Sequence, residues 1–535
     1  MPIESTLSQG RRALLALQTG AVLVVLAALP YPHFQLDRYT FVKELVLLAA
    51  ALAAVLLCLA GARGLTVFMA DVLVGGFLAL SFLSALFATN GWLAARAFGV
   101  SLGGAALFWT ARAVARAGHG PRLLSALAAA VVLGAATGLA QAYGLVGSEL
   151  ASVTRAPGGT FGNRNFMAHM VAIGLPVLIL VTLQARRRRD FVLGTAGIAL
   201  TAAALVLSRS RAAWLGTAAC ATFLAVEGLW VGRLWADPRL RRKVLALGAT
   251  AAGGLLLALV LPNRLNWRSD SPYLDSLAGV ANYREGSGRG RLIQYGNTLD
   301  MAADHPLLGV GPGNWPVHYP NYKSPGDPSF DVDDPIPTNP WPSSDWMAML
   351  AERGVPASLL LLLVGGSIAL AAWARVRRKT RGPPELGDLT IVATLIALVV
   401  VGAFDAVLLL PAPAFFVWTG IGALASTARP IREIALSPAA KRRLTLAAAI
   451  GGGLLLVQSL LQVVAMAVAS SGSREAMEIA AKLDPGSYRI RMLLAQEWRS
   501  EGRCDRARPH AERAGELFPD HPAPRVILRA CRRAG

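Results

Sequence analysis

An all-α, polytopic membrane protein with a large external loop and a small helical-repeat tail is the fold class this sequence predicts. Three observations carry it. Hydrophobic residues make up 54% of the 535, charged ones only 16%, and the mean hydropathy is +0.48, a composition suited to lipid rather than water. Apolar runs of about 20 residues, the length a helix needs to cross a hydrocarbon core about 30 Å thick, recur along most of the chain. Residues 262–345 break that pattern with a polar stretch rich in Gly, Pro, Trp and Tyr, and after 468 the composition turns to Ala, Arg and Glu.

In order, the runs lie at 13–30, 44–61, 68–88, 95–114, 123–144, 166–185, 191–208, 212–231, 244–261, 355–374, 389–410, 412–428 and 444–468. The first has the look of a signal sequence, but Ala27-Ala28-Leu29-Pro30 is a poor cleavage site and the Arg11-Arg12 flank suits an uncleaved helix. Pro411 and Pro413 leave only a tight turn between 389–410 and 412–428. The chain divides into transmembrane helices 1–9 (1–261), a large loop (262–345), transmembrane helices 10–13 (346–468) and a soluble tail (469–535).

The net charge of +20 is topological. With the N-terminus inside, the inner flank and inner turns carry 25 Lys and Arg, whereas the opposite short loops carry seven: Arg38, Lys43, Arg96, Arg155, Arg164, Arg209 and Arg211. This is the positive-inside asymmetry, with the basic residues set against anionic membrane lipids. It leaves no soluble basic surface for nucleic acid, and it puts the loop and the tail outside. Cys58 and Cys220 fall in apolar runs as small buried hydrophobes. Cys504 and Cys531 fall in the tail, where an oxidising compartment permits a bridge.

The chemistry-bearing motifs cluster on the outer side. Gly158 to Asn165 opens the sixth span with glycines, two asparagines and Arg164, suited to close backbone approach and N-capping. Ser208-Arg209-Ser210-Arg211 sits at the outer mouth between two spans. Arginine at that depth is costly and faces a cavity or an anion, and guanidinium grips phosphate bidentately. In the loop, Arg289 and Arg291 precede Leu292, Tyr295, Leu299 and Ala302, the spacing of a short amphipathic helix. Gly309-Val310-Gly311-Pro312-Gly313 follows, a weak phosphate signal without a Walker lysine or strand context. Trp267, Tyr273, Trp315, Tyr319, Tyr322, Trp341 and Trp346 suit an interfacial belt. His169 reads as a satisfied helix residue, His33 and His119 as loop residues, and no His/Cys/carboxylate spacing suggests a metal site. The tail repeats on itself: Ala480 to Pro485 recurs as Ala514 to Pro519, a shift of 34 residues that fits a tetratricopeptide helix pair. Units this few rarely stand alone, so the tail is expected to pack on the loop or on a protein partner.

Taken in order, Gly159-Thr160-Phe161-Gly162-Asn163-Arg164-Asn165, Ser210-Arg211, Gly290-Arg291, His305-Pro306-Leu307-Leu308-Gly309-Val310-Gly311 and Asp345-Trp346 leading to Glu352-Arg353-Gly354 resemble the O-antigen ligase and polymerase superfamily of bacterial membrane glycosyltransferases. The likeness covers roughly 150–360 by motif and the whole chain by architecture, and tetratricopeptide-tailed members exist. It implies a GT-C-type enzyme of the bacterial inner membrane that moves a glycan, on the periplasmic face, from an undecaprenyl-diphosphate carrier to a lipid or polysaccharide acceptor, with no metal and no cofactor. By match, Arg211 and Arg291 bind the diphosphate, with Arg164 and Arg209 beside them. The family's His-Asn pair before the tenth span is replaced here by Pro342-Ser343-Ser344-Asp345, which leaves Asp345 or His318 as the acceptor-side base. Two other classes stay open: a flippase for the same lipid-linked glycan, disfavoured because the spans are nearly charge-free, Asp71, Glu227 and Asp405 being the main acidic exceptions, and show no matching halves, and a non-catalytic assembly protein recruiting partners through its tail.

Overall fold

The computed structural model of the chain describes residues 3–31, 34, 36–146, 156–230, 237–267, 269–280, 282–329, 340–377 and 383–534. His33, Arg155, Arg233, the basic residues at 378–381 and the 330–334 end of the acidic stretch lie outside these residues.

Helices α1 (Ile3–Leu26), α2 (Asp37–Gly61), α3 (Met69–Leu86), α4 (Gly91–Val114), α5 (Gly120–Ala142), α6 (Arg164–Leu183), α7 (Arg188–Ser208), α8 (Arg211–Ala225) and α9 (Pro238–Val260) precede the loop. The loop holds α10 (Pro272–Ala278), α11 (Gly286–Asp304) and the short α12 (Trp315–His318). Then come α13 (Asp345–Arg377), α14 (Pro383–Phe404), α15 (Pro411–Leu424) and α16 (Pro438–Ala469), and the tail folds as α17 (Arg474–Leu483), α18 (Tyr488–Ser500), α19 (Cys504–Leu517) and α20 (Pro522–Ala534). The chain is an all-α polytopic membrane protein. Nine helical stretches among the described residues are long and apolar enough to cross a membrane. One of them, Gly91–Ala142, contains both α4 and α5, joined by a π turn at which Gly118 takes φ 87°. The remaining expected spans, 13–30, 212–231 and 412–428, coincide with α1, with α8 and its π-turn extension to Trp230, and with α15.

The bundle is layered by burial. Helix α15 is buried at every position from Pro411 to Leu424. At 14 residues it is only about 21 Å long; it is a central post shielded from lipid, and with its flanking turns it carries the chain from the loop end to the ribbon end. On the periphery, α9 exposes Leu256, Leu257 and Val260, and α16 exposes Ile450, Leu454 and Val457, faces that suit lipid tails because the helix ladder satisfies its own backbone. Charges inside the bundle are bonded: Arg112 Nη2 lies 2.7 Å from Asp71, which also accepts the Trp109 indole N–H at 3.0 Å, and Lys43 Nζ donates to the Val24, Val25 and Ala27 carbonyls at 2.9, 2.9 and 2.7 Å. Lone ions there are expensive, whereas bonded pairs persist.

The two ends of the bundle differ. A two-stranded antiparallel ribbon, β1 (Gly64–Val67) with β2 (Arg432–Ala435), ties two basic turns together at the end reached by the C-terminus of α2. At the other end, where α2 begins, Asp37 meets Arg489 of the tail at 3.5 Å. His318 Nδ1 meets Asp520 there at 3.0 Å, and Val317 shares an apolar cluster with Met492 and Ala495. Loop and tail therefore pack together on one end. The tail is closed by a Cys504–Cys531 disulfide. Two expected belt residues lie elsewhere: Trp315 and Tyr319 are 1% and 2% exposed and form the loop's own core with Met301 and Val310. The Trp315 indole N–H donates to Thr298 Oγ1 at 3.1 Å, which satisfies the polar edge a belt tryptophan would give to water.

Candidate functional site

Two arginines separated by 80 positions line one small cavity. Arg211 is the first residue of α8, behind the N-cap Ser210, and Arg291 stands in the second turn of α11. Tyr283, Asn282 and Phe404 complete the walls. Arg211 is held from two directions, its Nη1 donating to the Gly279 carbonyl and its Nη2 to Ser287 Oγ. Both partners belong to the loop, so the loop aims the side chain of a membrane helix. Like charges that face one cavity repel unless an anion sits between them.

A second pair of arginines shares a tryptophan. Arg209 and Arg164 lie 4.6 Å and 5.2 Å from the Trp267 ring centroid, a cation–π platform. Arg209 Nε also donates to Ser276 Oγ at 2.8 Å. Its backbone is left-handed, φ 52°, the one non-glycine residue so placed among the described residues. That conformation costs an L-residue about 1–2 kcal/mol, and here it lets the chain turn between α7 and α8 while Arg209 and Arg211 both face the loop.

Behind the arginines lies a polar seam that joins α6, α8 and the α14–α15 turn. Asn165 Nδ2 donates to Asp405 Oδ2 at 3.4 Å, and Asp405 Oδ1 accepts the Ala406 N–H at 2.8 Å. His169 is fully buried, with Nε2 3.4 Å from Ser210 Oγ. Asp405 is half-buried and adjoins the cavity-lining Phe404. Tyr295 braces the seam from the loop, its hydroxyl shared between the Ser343 and Ala403 carbonyls at 2.7 Å each. Burial pushes that phenol above its ordinary pKa, so it stays a neutral donor.

Of the sequence-derived candidates, the structure brings Arg211 and Arg291 to one cavity and Arg164 and Arg209 to one platform. Asp345 and His318 are not among the residues that line the cavity. Asp345 is fully buried, and its carboxylate accepts the N–H groups of Val407, Leu408 and Leu409 at 2.9, 2.8 and 3.4 Å. It therefore fixes the turn that carries Asp405. His318 bridges Asp520 and, through Nε2 at 3.0 Å, Thr89, tying loop to tail. The Gly309–Gly313 run is engaged within the protein: the Val310 and Gly311 N–H groups donate to the Ala351 and Glu352 carbonyls at 2.9 Å each, where Gly354 (φ 76°) interrupts α13, and the Gly313 N–H serves the Glu352 carboxylate. Val355 N–H returns to the Pro306 carbonyl at 2.8 Å. Sequence reasoning singled out Asn165 beside Arg164 but passed over Asp405 and His169 as site residues. The available signal was an acid inside an otherwise apolar run, which marks function by default.

Among the described residues no group of His, Cys, Asp and Glu is arranged to hold a metal ion. Residues 196–363 match the family model described as O-Antigen ligase. The matched stretch contains Arg209, Arg211, Arg291 and the whole loop, and it supports a role in surface polysaccharide assembly. No curated protein matches the chain.

Proposed function

We propose that this protein transfers a glycan from an undecaprenyl-diphosphate carrier to an acceptor hydroxyl at the end of the bundle that carries loop and tail. The convergence of Arg211 and Arg291 on one cavity is the observation that carries the reading. In such a transfer the acceptor oxygen attacks the anomeric carbon while the bond from that carbon to the phosphate oxygen breaks. The leaving diphosphate keeps the electron pair and the acceptor loses a proton. Negative charge grows on the diphosphate, and preorganised guanidinium donors in a site of low dielectric stabilise it as it forms. Arg209 and Arg164 add positive field from the Trp267 platform.

Asp405 is assigned the proton. It is the carboxylate beside the arginine cavity, it carries the Asn165 amide, and its field bears on His169 together with that of Arg291. Asp345 serves as the residue that positions Asp405, and His318 as the link between loop and tail. The disulfide supports placing the tail, and with it the loop, in an oxidising compartment, in keeping with a periplasmic site on the inner membrane. The tail's 34-residue recurrence supports a tetratricopeptide-like fold for α17–α20.

Deleting the gene tests the reaction class. Full-length glycan accumulating on the undecaprenyl carrier identifies a ligase-type transfer, and single repeat units identify a polymerase. An unchanged lipid-linked pool contradicts transfer altogether.

A further inference from the structure

A second cavity lies away from Arg211 and Arg291, between the tail and the outer ends of α2, α4 and α13. It measures about 200 Å³. Phe41, Trp92, Trp341 and Tyr488 supply rings to its wall, and Gln462 and Asp484 supply an amide and a carboxyl. Trp92 and Trp341 are only half-buried, whereas the Phe41 ring carries the Arg96 guanidinium at 4.0 Å and Tyr488 packs on Phe518 at 4.4 Å. Three pairs of opposite charge stand around it: Arg96 chelates Glu44 with two bonds of 2.7 Å, Arg353 faces Glu352 at 3.5 Å, and Arg489 faces Asp37 at 3.5 Å; Asp484 is the remaining acid on the wall.

We propose that this cavity binds a sugar residue of a neutral glycan. Aromatic faces stack on the C–H faces of a sugar ring, and planar amide and carboxyl groups take its hydroxyls, whereas an acyl chain has no use for buried polar partners. Arginines already paired to carboxylates offer little to a phosphate. The volume is below the range of about 300–1,000 Å³ typical of pockets for drug-sized ligands and suits about one ring, with the rest of the glycan leaving through the open side.

Position gives the site its purpose. Leu408 and Leu409 line the cavity, and they belong to the turn that carries Asp405 and is fastened by Asp345. Trp341 packs on Phe166, ring centroids 6.0 Å apart, next to Asn165. A sugar held here therefore abuts the seam where the acceptor loses its proton. The inference rests on the transfer reading for this use, but not for the binding itself. Tyr488 and Asp484 come from the tail, so the tail is a wall of the site as well as a candidate docking module.

The test uses the full chain in lipid nanodiscs. Saturation-transfer NMR is run against free neutral hexoses, 6-deoxyhexoses and N-acetylhexosamines, with inorganic pyrophosphate as the separate probe of the arginine cavity. At least one sugar should receive saturation, and Trp92→Ala should cut it about fivefold or more while pyrophosphate binding is unchanged. Gln462→Leu, which keeps the side-chain volume, guards against misfolding of the first variant and should show the same loss. No transfer to any sugar, or equal transfer in a folded variant, overturns the proposal. Sugar binding in a chain that ignores pyrophosphate upholds the cavity and overturns the diphosphate reading instead. Lipid-linked glycan extracted from cells lacking the gene then identifies the source. Weaker binding of that extract by Gln462→Leu assigns the sugar to the donor; equal binding with reduced transfer in cells assigns it to the acceptor. A variant unchanged in both respects overturns the proposal.

Discussion

A carboxylate whose lone pairs already accept three backbone N–H groups has little capacity left for a substrate proton, and Asp345 is in that position. Asp345→Asn puts an amide NH₂ opposite those donors, so the expected outcome is a loss of stability of about 1–3 kcal/mol, read as a lower melting temperature and lower membrane abundance. Asp405→Asn should leave stability near wild type, keep binding of the lipid-linked donor and slow transfer by about 10²–10⁴. His318→Ala should loosen the tail without abolishing transfer. A stable, inactive Asp345→Asn beside an active Asp405→Asn would exchange the two roles.

At the scale of elements, the loop is anchored where α13 is interrupted. Gly309 and Gly354 take φ of 65° and 76°, and a Cβ on either would meet the backbone of the opposite segment. Gly309→Ala and Gly354→Ala should each cost about 1–3 kcal/mol, and thermal unfolding in detergent measures it. A melting temperature equal to wild type in both variants would mean that the contact is not made. The spans were legible in the sequence because an apolar run of crossing length has few other uses, Arg211 because charge beside such a run demands a reason, and Arg291 only through the resemblance of its motif. The role of 309–313 was not legible, since its partner, the break at Gly354, lies beyond the rest of the loop and only packing brings the two together. Asp405 was seen only as an acid in a span, because its partner Asn165 lies 240 positions away and only packing joins them. Trp315 and Tyr319 read as belt residues by type, yet the loop is large enough to need a core of its own.

For the whole molecule, the tail docks through a buried acid. Burial in the interface pushes Asp484 up to about 6 from 3.8, and the Arg96 charge offsets only part of that. The docked state thus holds a proton that the undocked state has released between those values. Stability from this group is present at low pH and falls as pH rises from about 4 to about 6, by up to about 3 kcal/mol. Asp484→Asn should flatten this dependence and strengthen docking at pH 7, and protease sensitivity of the tail across pH reads it directly. A steeper pH dependence in the variant would contradict the assignment. Topology has its own check: a reporter fused after Gly535 should be active outside the cytoplasm, as the basic asymmetry requires, and a cytoplasmic signal would move loop and tail to the inner face together.

The central claim is that Arg211 and Arg291 act as one grip on a departing diphosphate. It is tested most directly by supplying Arg211→Lys and Arg291→Lys to cells that lack the gene and measuring the lipid-linked glycan pool at matched membrane abundance. Lysine keeps the charge but not the two-pronged donor geometry, and losing one preorganised donor costs about 10²–10³ in rate. Both variants are predicted to accumulate lipid-linked glycan as the deletion does. A pool restored to wild-type level by Arg291→Lys and by Arg291→Ala alike would contradict the account.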